Sequence, residues 1–226
     1  MPKRALIERR PWLMLSIVMA LVWWLGFENT MTPGLYLLGL KFLPVAFLAV
    51  YSWRRHHGLD GRLIAAVMGI AAIGDALTTL EYGWGGIAHA LSQLVAIVLY
   101  WRNHRPGVRP AMMLAGLAAV VIAPVLAWLL MVGEVGQGAV AASAALLAIT
   151  AAIAWLSRFP RQRVGLGALL YLVSELLLIA TQAHLLEVGG AVGLAVSELV
   201  WPLYYIGQLL IVTGVNRTLR SREIRK

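Results

Sequence analysis

Eight apolar runs, each near the roughly 20 residues that cross a bilayer as a helix, take up most of this chain. They cover residues 12–27, 32–53, 63–80, 86–101, 111–132, 139–156, 166–183 and 193–215. In hydrocarbon every backbone N–H and C=O must be bonded within the protein, so runs of this length can only be helices. Composition agrees, because 61% of the residues are hydrophobic, against about 45–50% in soluble domains. The first run follows MPKRALIERRP, which resembles the basic start of a signal peptide. It lacks an A-x-A-like exit and closes in Phe27-Glu28-Asn29, so it reads as a retained span.

The charges fix an expected topology. Lys and Arg fall at 3, 4, 9 and 10; at 54, 55 and 62; at 102, 105 and 109; at 158, 161 and 163; and at 217, 220, 222, 225 and 226. These five groups are the N-terminus, every second loop and the C-terminus. The alternate loops carry a single glutamate each, Glu28, Glu81, Glu134 and Glu187, and no basic residue. The positive-inside rule then places both termini and the basic loops in the cytoplasm. Of the 19 basic residues only Lys41 lies inside a span. The net charge of +9 is therefore a ring of basic loops facing anionic lipid headgroups, not a nucleic-acid surface. With no cysteine there is no disulfide, thiol nucleophile or Cys-ligated metal. Arg exceeds Lys and Ala and Gly are abundant, which suits a bacterial inner (cytoplasmic) membrane.

The loops leave no room for a soluble domain, so residues 1–226 read as a single transmembrane helical-bundle domain. Within it lies a weak internal repeat. IGDALTTL in the third span places Asp75 where VSELLLIA in the seventh places Glu175, 100 positions later. QLVAIVLYWR of the fourth span begins at Gln93 and QLLIVTGVNR of the eighth at Gln208, each nine residues before an arginine. Four residues before these glutamines stand His89 and Tyr204. The expected fold is all-α and polytopic, with eight transmembrane helices in a 4+4 parallel repeat.

Intramembrane polar side chains are few. Asp75 shares a helix face with Thr78 and Thr79, Glu175 with Tyr171 and Gln182, and Gln208 with Tyr204, Trp201 and Ser197. Lys41 enters from the outer side near Pro44. Lone glutamines and tyrosines in spans usually join helices, and His89 and His184 fall near the outer interface. His56 and His57 fall in a basic loop and read as surface residues. No H-E-x-x-H, G-x-S-x-G or P-loop occurs, so neither a metal nor another cofactor is called for. Asn216-Arg-Thr218 fits the glycosylation pattern but falls on the cytoplasmic side. Ionisable groups in a membrane are expensive, so Asp75, Glu175 and Lys41 are the functional candidates. Two carboxyls with one ammonium leave an odd charge. In a low dielectric one carboxyl then tends to keep its proton, which is what general acid catalysis needs.

At these residues the chain resembles the YhhN family of integral-membrane proteins, whose characterised members are lysoplasmalogenases. The likeness rests on K-x-x-P (Lys41, Pro44), I-G-D-A-L (Ile73 to Leu77), a Gly-rich fourth span (Gly85, Gly86, Ser92), G-A-L-L-x-x-x-S-E (Gly167 to Glu175) and Y-Y-x-x-Q-x-L-I (Tyr204, Tyr205, Gln208, Leu210, Ile211). Two positions depart from the family pattern. Ser174-Glu175 stands where the family has S-D, and Gln93 where it often has histidine, unless His89 one turn earlier does that work as a proton shuttle.

The resemblance implies a membrane-embedded hydrolase acting on the vinyl ether of lysoplasmalogens, with a lysophospholipid as substrate. Asp75 and Glu175 would be the catalytic carboxyls, one the acid and the other the stabilising anion. Asp75 is favoured as the ionised partner, as the nearer neighbour of Lys41, with the reverse assignment open. Lys41, Gln93, Ser174, Tyr204, Tyr205 and Gln208 would bind substrate. The same intramembrane charges also describe a proton-coupled small-molecule transporter, although Pro44, Pro124 and Pro202 are isolated and no span has a Gly/Pro-broken centre. A non-catalytic lipid-binding protein of the same fold is the third reading.

Overall fold

The structure, a computed structural model, describes residues 11–27, 34–183 and 190–224. The N-terminal basic group, Glu28, His184, Glu187 and the last two basic residues lie outside the described residues. Eight α-helices follow one another among the described residues: α1 Pro11–Gly26, α2 Tyr36–Arg55, α3 Leu59–Leu80, α4 Tyr82–Arg102, α5 Pro110–Leu130, α6 Gln137–Leu156, α7 Leu166–Gln182 and α8 Ala191–Ile224. A π-helical turn, Arg161–Gly165, leads into α7.

Seven of these segments are long and apolar enough to cross a membrane, so the chain is a polytopic integral membrane protein. α1 is a shorter apolar helix of 16 described residues, over the first expected run. Several helices run longer than the apolar runs. α3 begins with Leu59-Asp60-Gly61-Arg62, with Asp60 placed favourably against the N-terminal end of the helix dipole. α8 continues nine residues beyond the expected end at 215. Helices persist through Pro44, Pro124 and Pro202. Pro110 opens α5, where its missing N–H has no helical acceptor to lose. Before α6 the chain turns through Gly136 at φ 86°, a left-handed conformation that favours glycine.

The residues group into two compact units, Met1–Leu99 with Val215–Lys226, and Tyr100–Gly214. In unit 1, α1 packs on α2 and α2 on α3. The α1–α2 pair is pinned by a buried Ser16 hydroxyl donating to the Pro44 carbonyl at 2.6 Å and by the rings of Trp12 and Phe47. Ser92 of α4 donates to the Val67 carbonyl of α3 at 2.8 Å, so α4 is held on α3 by a bond within the spans. The tail of α8 joins this unit through His56. Against expectation that side chain is only 3% exposed. Its Nδ1 meets a Glu223 carboxylate oxygen at 2.9 Å and its Nε2 the Asn216 carbonyl at 3.0 Å, while Asn216 Nδ2 donates to Ser52. His57 is exposed, as its loop position suggests.

In unit 2, α5 packs on α6 and α6 on α7, around a core of Ala127, Met131, Ala144 and Ile179. α5 turns most of its surface outward, exposing Leu114, Leu117, Val121 and Leu129, as a lipid-facing helix does. α7 and α8 approach closely at two glycines. A Cβ on Gly207 would lie 2.6 Å from the Gly167 carbonyl oxygen, so neither position has room for a side chain. Ser174 strengthens the pair by donating to the Val200 carbonyl at 2.7 Å.

Candidate active site

Unit 1 gathers the ionisable residues of its spans into one cluster. Asp75, on the C-terminal half of α3, is 4% exposed. Its Oδ1 lies 3.4 Å from Nε2 of His89 on α4. Gly74 makes that approach possible, since a Cβ there would sit 2.9 Å from both Cδ2 and Nε2 of the imidazole. Gly85 does the same for Thr78, whose Cγ2 and backbone would collide with a side chain at that position. The two Gly-rich segments thus have one local purpose: they let α4 close on the polar face of α3.

Lys41 reaches the cluster from α2. Its Nζ donates to Thr78 Oγ1 at 2.9 Å, and Thr78 in turn donates to the Asp75 carbonyl at 2.8 Å. Thr79 makes a longer bond to the same carbonyl at 3.4 Å. The threonines therefore bond the backbone of Asp75, a common habit of Ser and Thr one turn along a helix. The Lys41 ammonium also lies 5.9 Å from the centre of the Trp23 ring on α1. Ser92 and Gln93, one turn beyond His89, are both buried, and Ser92 holds α4 to α3. A carboxyl, an imidazole and an ammonium thus stand within a membrane-spanning segment, the set of groups that proton chemistry requires.

Unit 2 places its own candidates along the α7–α8 contact. Glu175 is half-buried, one residue after Ser174. Tyr171 and Tyr204 meet edge to face with ring centres 4.9 Å apart. Trp201 and Tyr205 stack with centres 5.4 Å apart, and Gln208 is 2% exposed one turn below. Ser174, expected to touch substrate, bonds a backbone carbonyl across the helix pair. An open apolar groove of about 700 Å³ runs between α5 and α6, lined by Pro110, Leu114, Leu117, Val120, Ala152 and Leu156. It carries no titratable group. Among the described residues no three His, Asp or Glu side chains converge as metal ligands.

A family model, that of the YhhN family, matches residues 36–215, most of the chain and all of these site residues except Trp23. The chain belongs to the YhhN family. No curated protein and no solved structure matches it. Of the positions carrying the likeness, Lys41, Gly74, Asp75, Gly85 and Ser92 all serve the unit 1 cluster, as a charged group, a close approach or an interhelical bond. In this YhhN chain His89, not Gln93, faces the carboxyl. Trp23 is the participant that sequence reasoning missed, because nothing in MALVWWLG distinguishes it from Trp24 beside it.

Proposed function

We propose that this YhhN protein is a membrane-embedded hydrolase that cleaves the vinyl-ether bond of lysoplasmalogens to a fatty aldehyde and a glycerophospho-base. The Asp75–His89 pair carries the reading. A buried carboxyl 3.4 Å from an imidazole, inside a span, is a costly arrangement that acid–base chemistry explains. Catalytic hydrogen bonds are often long before substrate binds, so this separation suits a pair that tightens on the reacting lipid.

The chemistry follows from the substrate. An acid protonates the β-carbon of the vinyl ether, and the alkene electrons form the new C–H bond. The α-carbon becomes an oxocarbenium ion, which a nearby anion stabilises. Water adds at that carbon and loses a proton to the site. The hemiacetal then collapses, releasing the glycerol hydroxyl and the aldehyde and returning the acid to its starting state. Asp75 and Glu175 share the two carboxyl roles, with Asp75 favoured as the ionised partner and the reverse assignment open, and His89 relays the proton. Lys41, Gln93, Tyr204, Tyr205 and Gln208 hold substrate oxygens, with Ser174 fixing α7 on α8 next to Glu175.

We further read the chain as a duplicated four-span unit in a single membrane domain of a bacterial inner membrane, with both termini cytoplasmic. The basic loops support the orientation. The helix contacts support the duplication. Ser92 meets Val67 in unit 1, and Gly207 meets Gly167 in unit 2. These pairs differ by the same 115 and 100 positions that separate Gln208 from Gln93 and Glu175 from Asp75. The unit boundaries after Leu99 and Gly214 are again 115 apart.

The test is aldehyde release by purified protein in detergent, run in D2O. The lysoplasmalogen should yield aldehyde deuterated at the carbon next to the carbonyl, and the saturated ether analogue should be untouched. No aldehyde from either choline or ethanolamine substrates would overturn the assignment. Flux driven by a proton gradient in vesicles would then favour a transporter.

A further inference from the structure

We propose that the indole N–H of Trp23 and the ammonium of Lys41 form an oxyanion site in unit 1 that takes the phosphate of an amphiphile. The proposal rests on the lipid-hydrolase reading of this unit and adds to it the place where the headgroup phosphate binds.

The starting observation is a donor without an acceptor. Trp23 is 6% exposed, and its Nε1 is buried with no hydrogen-bond partner among the described residues. An unsatisfied buried donor costs about 1–3 kcal/mol. Lipid tails offer no acceptor, so a span has no cheap way to leave that N–H in place. The ring is nonetheless firmly located. Ser16, two turns earlier on α1, is bonded to the Pro44 carbonyl, and Lys41 stands three residues before Pro44 on α2. This registers Trp23 against Lys41, whereas Trp24 and Leu25 point outward, 37% and 74% exposed.

The chemistry of the two groups then selects the ligand. Indole N–H and ammonium are donors only, so they call for an acceptor-only partner. A phosphate presents several strong acceptor oxygens in a tetrahedron and can meet both at once, with charge assistance from the lysine. A bare hydroxyl or ether oxygen would engage one donor and leave the other. Among the described residues the charges nearby are Lys41 itself, Asp75 and His89 on α3 and α4, and Glu81 three residues beyond Thr78. The Asp75 carboxyl that would oppose an anion beside Lys41 already faces an imidazole, and Glu81 accepts from the backbone N–H groups of Gly83 and Trp84. α1 precedes the family match, which begins at residue 36, so the match does not include Trp23.

Binding, not turnover, is the readout. Purified protein in a maltoside detergent is titrated with a saturated alkyl-ether lysophosphatidylcholine, which has no vinyl ether to cleave, and with the matching alkylglycerol, which has no phosphate. Wild type should bind the phosphate-bearing amphiphile more tightly. Trp23→Phe, which keeps the ring and removes the N–H, should weaken it about tenfold and leave the alkylglycerol unchanged. Lys41→Met should weaken it at least as much. Without ligand, Trp23→Phe should melt no lower than wild type, because it removes an unsatisfied donor; a merely structural tryptophan would show the opposite. Inorganic phosphate that displaces the amphiphile with the same Trp23 dependence would mark a general phosphate site, and failure to displace would mark a lipid headgroup site. Equal binding of the two amphiphiles by wild type, or unchanged phosphate preference in Trp23→Phe, would overturn the proposal. Absence of aldehyde in the turnover assay would strike the hydrolase reading alone.

Discussion

Gly74→Ala isolates the position of one side chain from the stability of the fold. The added Cβ would lie 2.9 Å from His89 Cδ2 and Nε2, whereas ordinary contact begins near 3.4 Å. The imidazole must therefore retreat by about 0.5 Å or more, measured against its 3.4 Å separation from Asp75. A side-chain ring can retreat where a backbone could not, so the helices stay in place and the displacement falls on the pair. Misplacing a catalytic group by about 1 Å lowers rates roughly a hundredfold, so a loss of about ten- to a hundredfold in kcat is expected here. Gly69→Ala on the same helix is the control, because its Cβ would meet nothing nearer than Ala49 at 3.9 Å. Both substitutions gain up to about 1 kcal/mol of helix propensity, so neither should lower the melting temperature appreciably. The assay is initial-rate aldehyde release alongside thermal melting in the same detergent. If Gly74→Ala and Gly69→Ala have the same kcat, the imidazole position does not matter and the reasoning fails.

Other perturbations separate packing from chemistry. Gly207→Ala drives a Cβ to within 2.6 Å of the Gly167 carbonyl, where only backbone could yield, and should destabilise by about 1–3 kcal/mol. Gly39→Ala, with nothing within 4 Å, should leave the melting temperature unchanged or raised. Ser92→Ala removes the bond to Val67 and should lower stability by only about 0.6 kcal/mol, as interhelical bonds in membranes do on average. His56→Ala removes the ring contacts to the Asn216 carbonyl and Glu223, so trypsin should cut after Arg217 and Arg220 several times faster, while aldehyde release per folded molecule is unchanged. Cleavage at the wild-type rate would mean that His56 does not hold the tail of α8.

Hydropathy located the spans because it measures what hydrocarbon demands, and the interior of each expected run is helical wherever it is described. It placed the ends less well. Asp60 and Arg62 leave the apolar pattern yet continue α3, because a helix outside the hydrocarbon needs only its own bonds and a favourable dipole. The burial of Asp75 was legible, since a lone carboxylate in an apolar run has few other uses. Its pairing with His89 was half legible: the one-turn spacing to Gln93 put His89 on the right stripe, but only the absence of a side chain at Gly74 brings it in. His56 looked like surface because its neighbours are charged; it is buried by residues more than 150 positions away, which no local pattern encodes. Ser174 sat in a motif and read as a substrate contact, while its hydroxyl reaches the backbone of the next helix.

The central claim is that intramembrane carboxyls run proton chemistry on a lipid, and Asp75→Asn tests it most directly. The substitution keeps the size of the side chain and its place beside His89 but removes the acid–base function, and Glu175→Gln does the same in unit 2. With both variants folded as judged by melting, aldehyde release from a lysoplasmalogen should fall at least about a hundredfold in each. A folded Asp75→Asn protein that releases aldehyde at the wild-type rate would contradict the account.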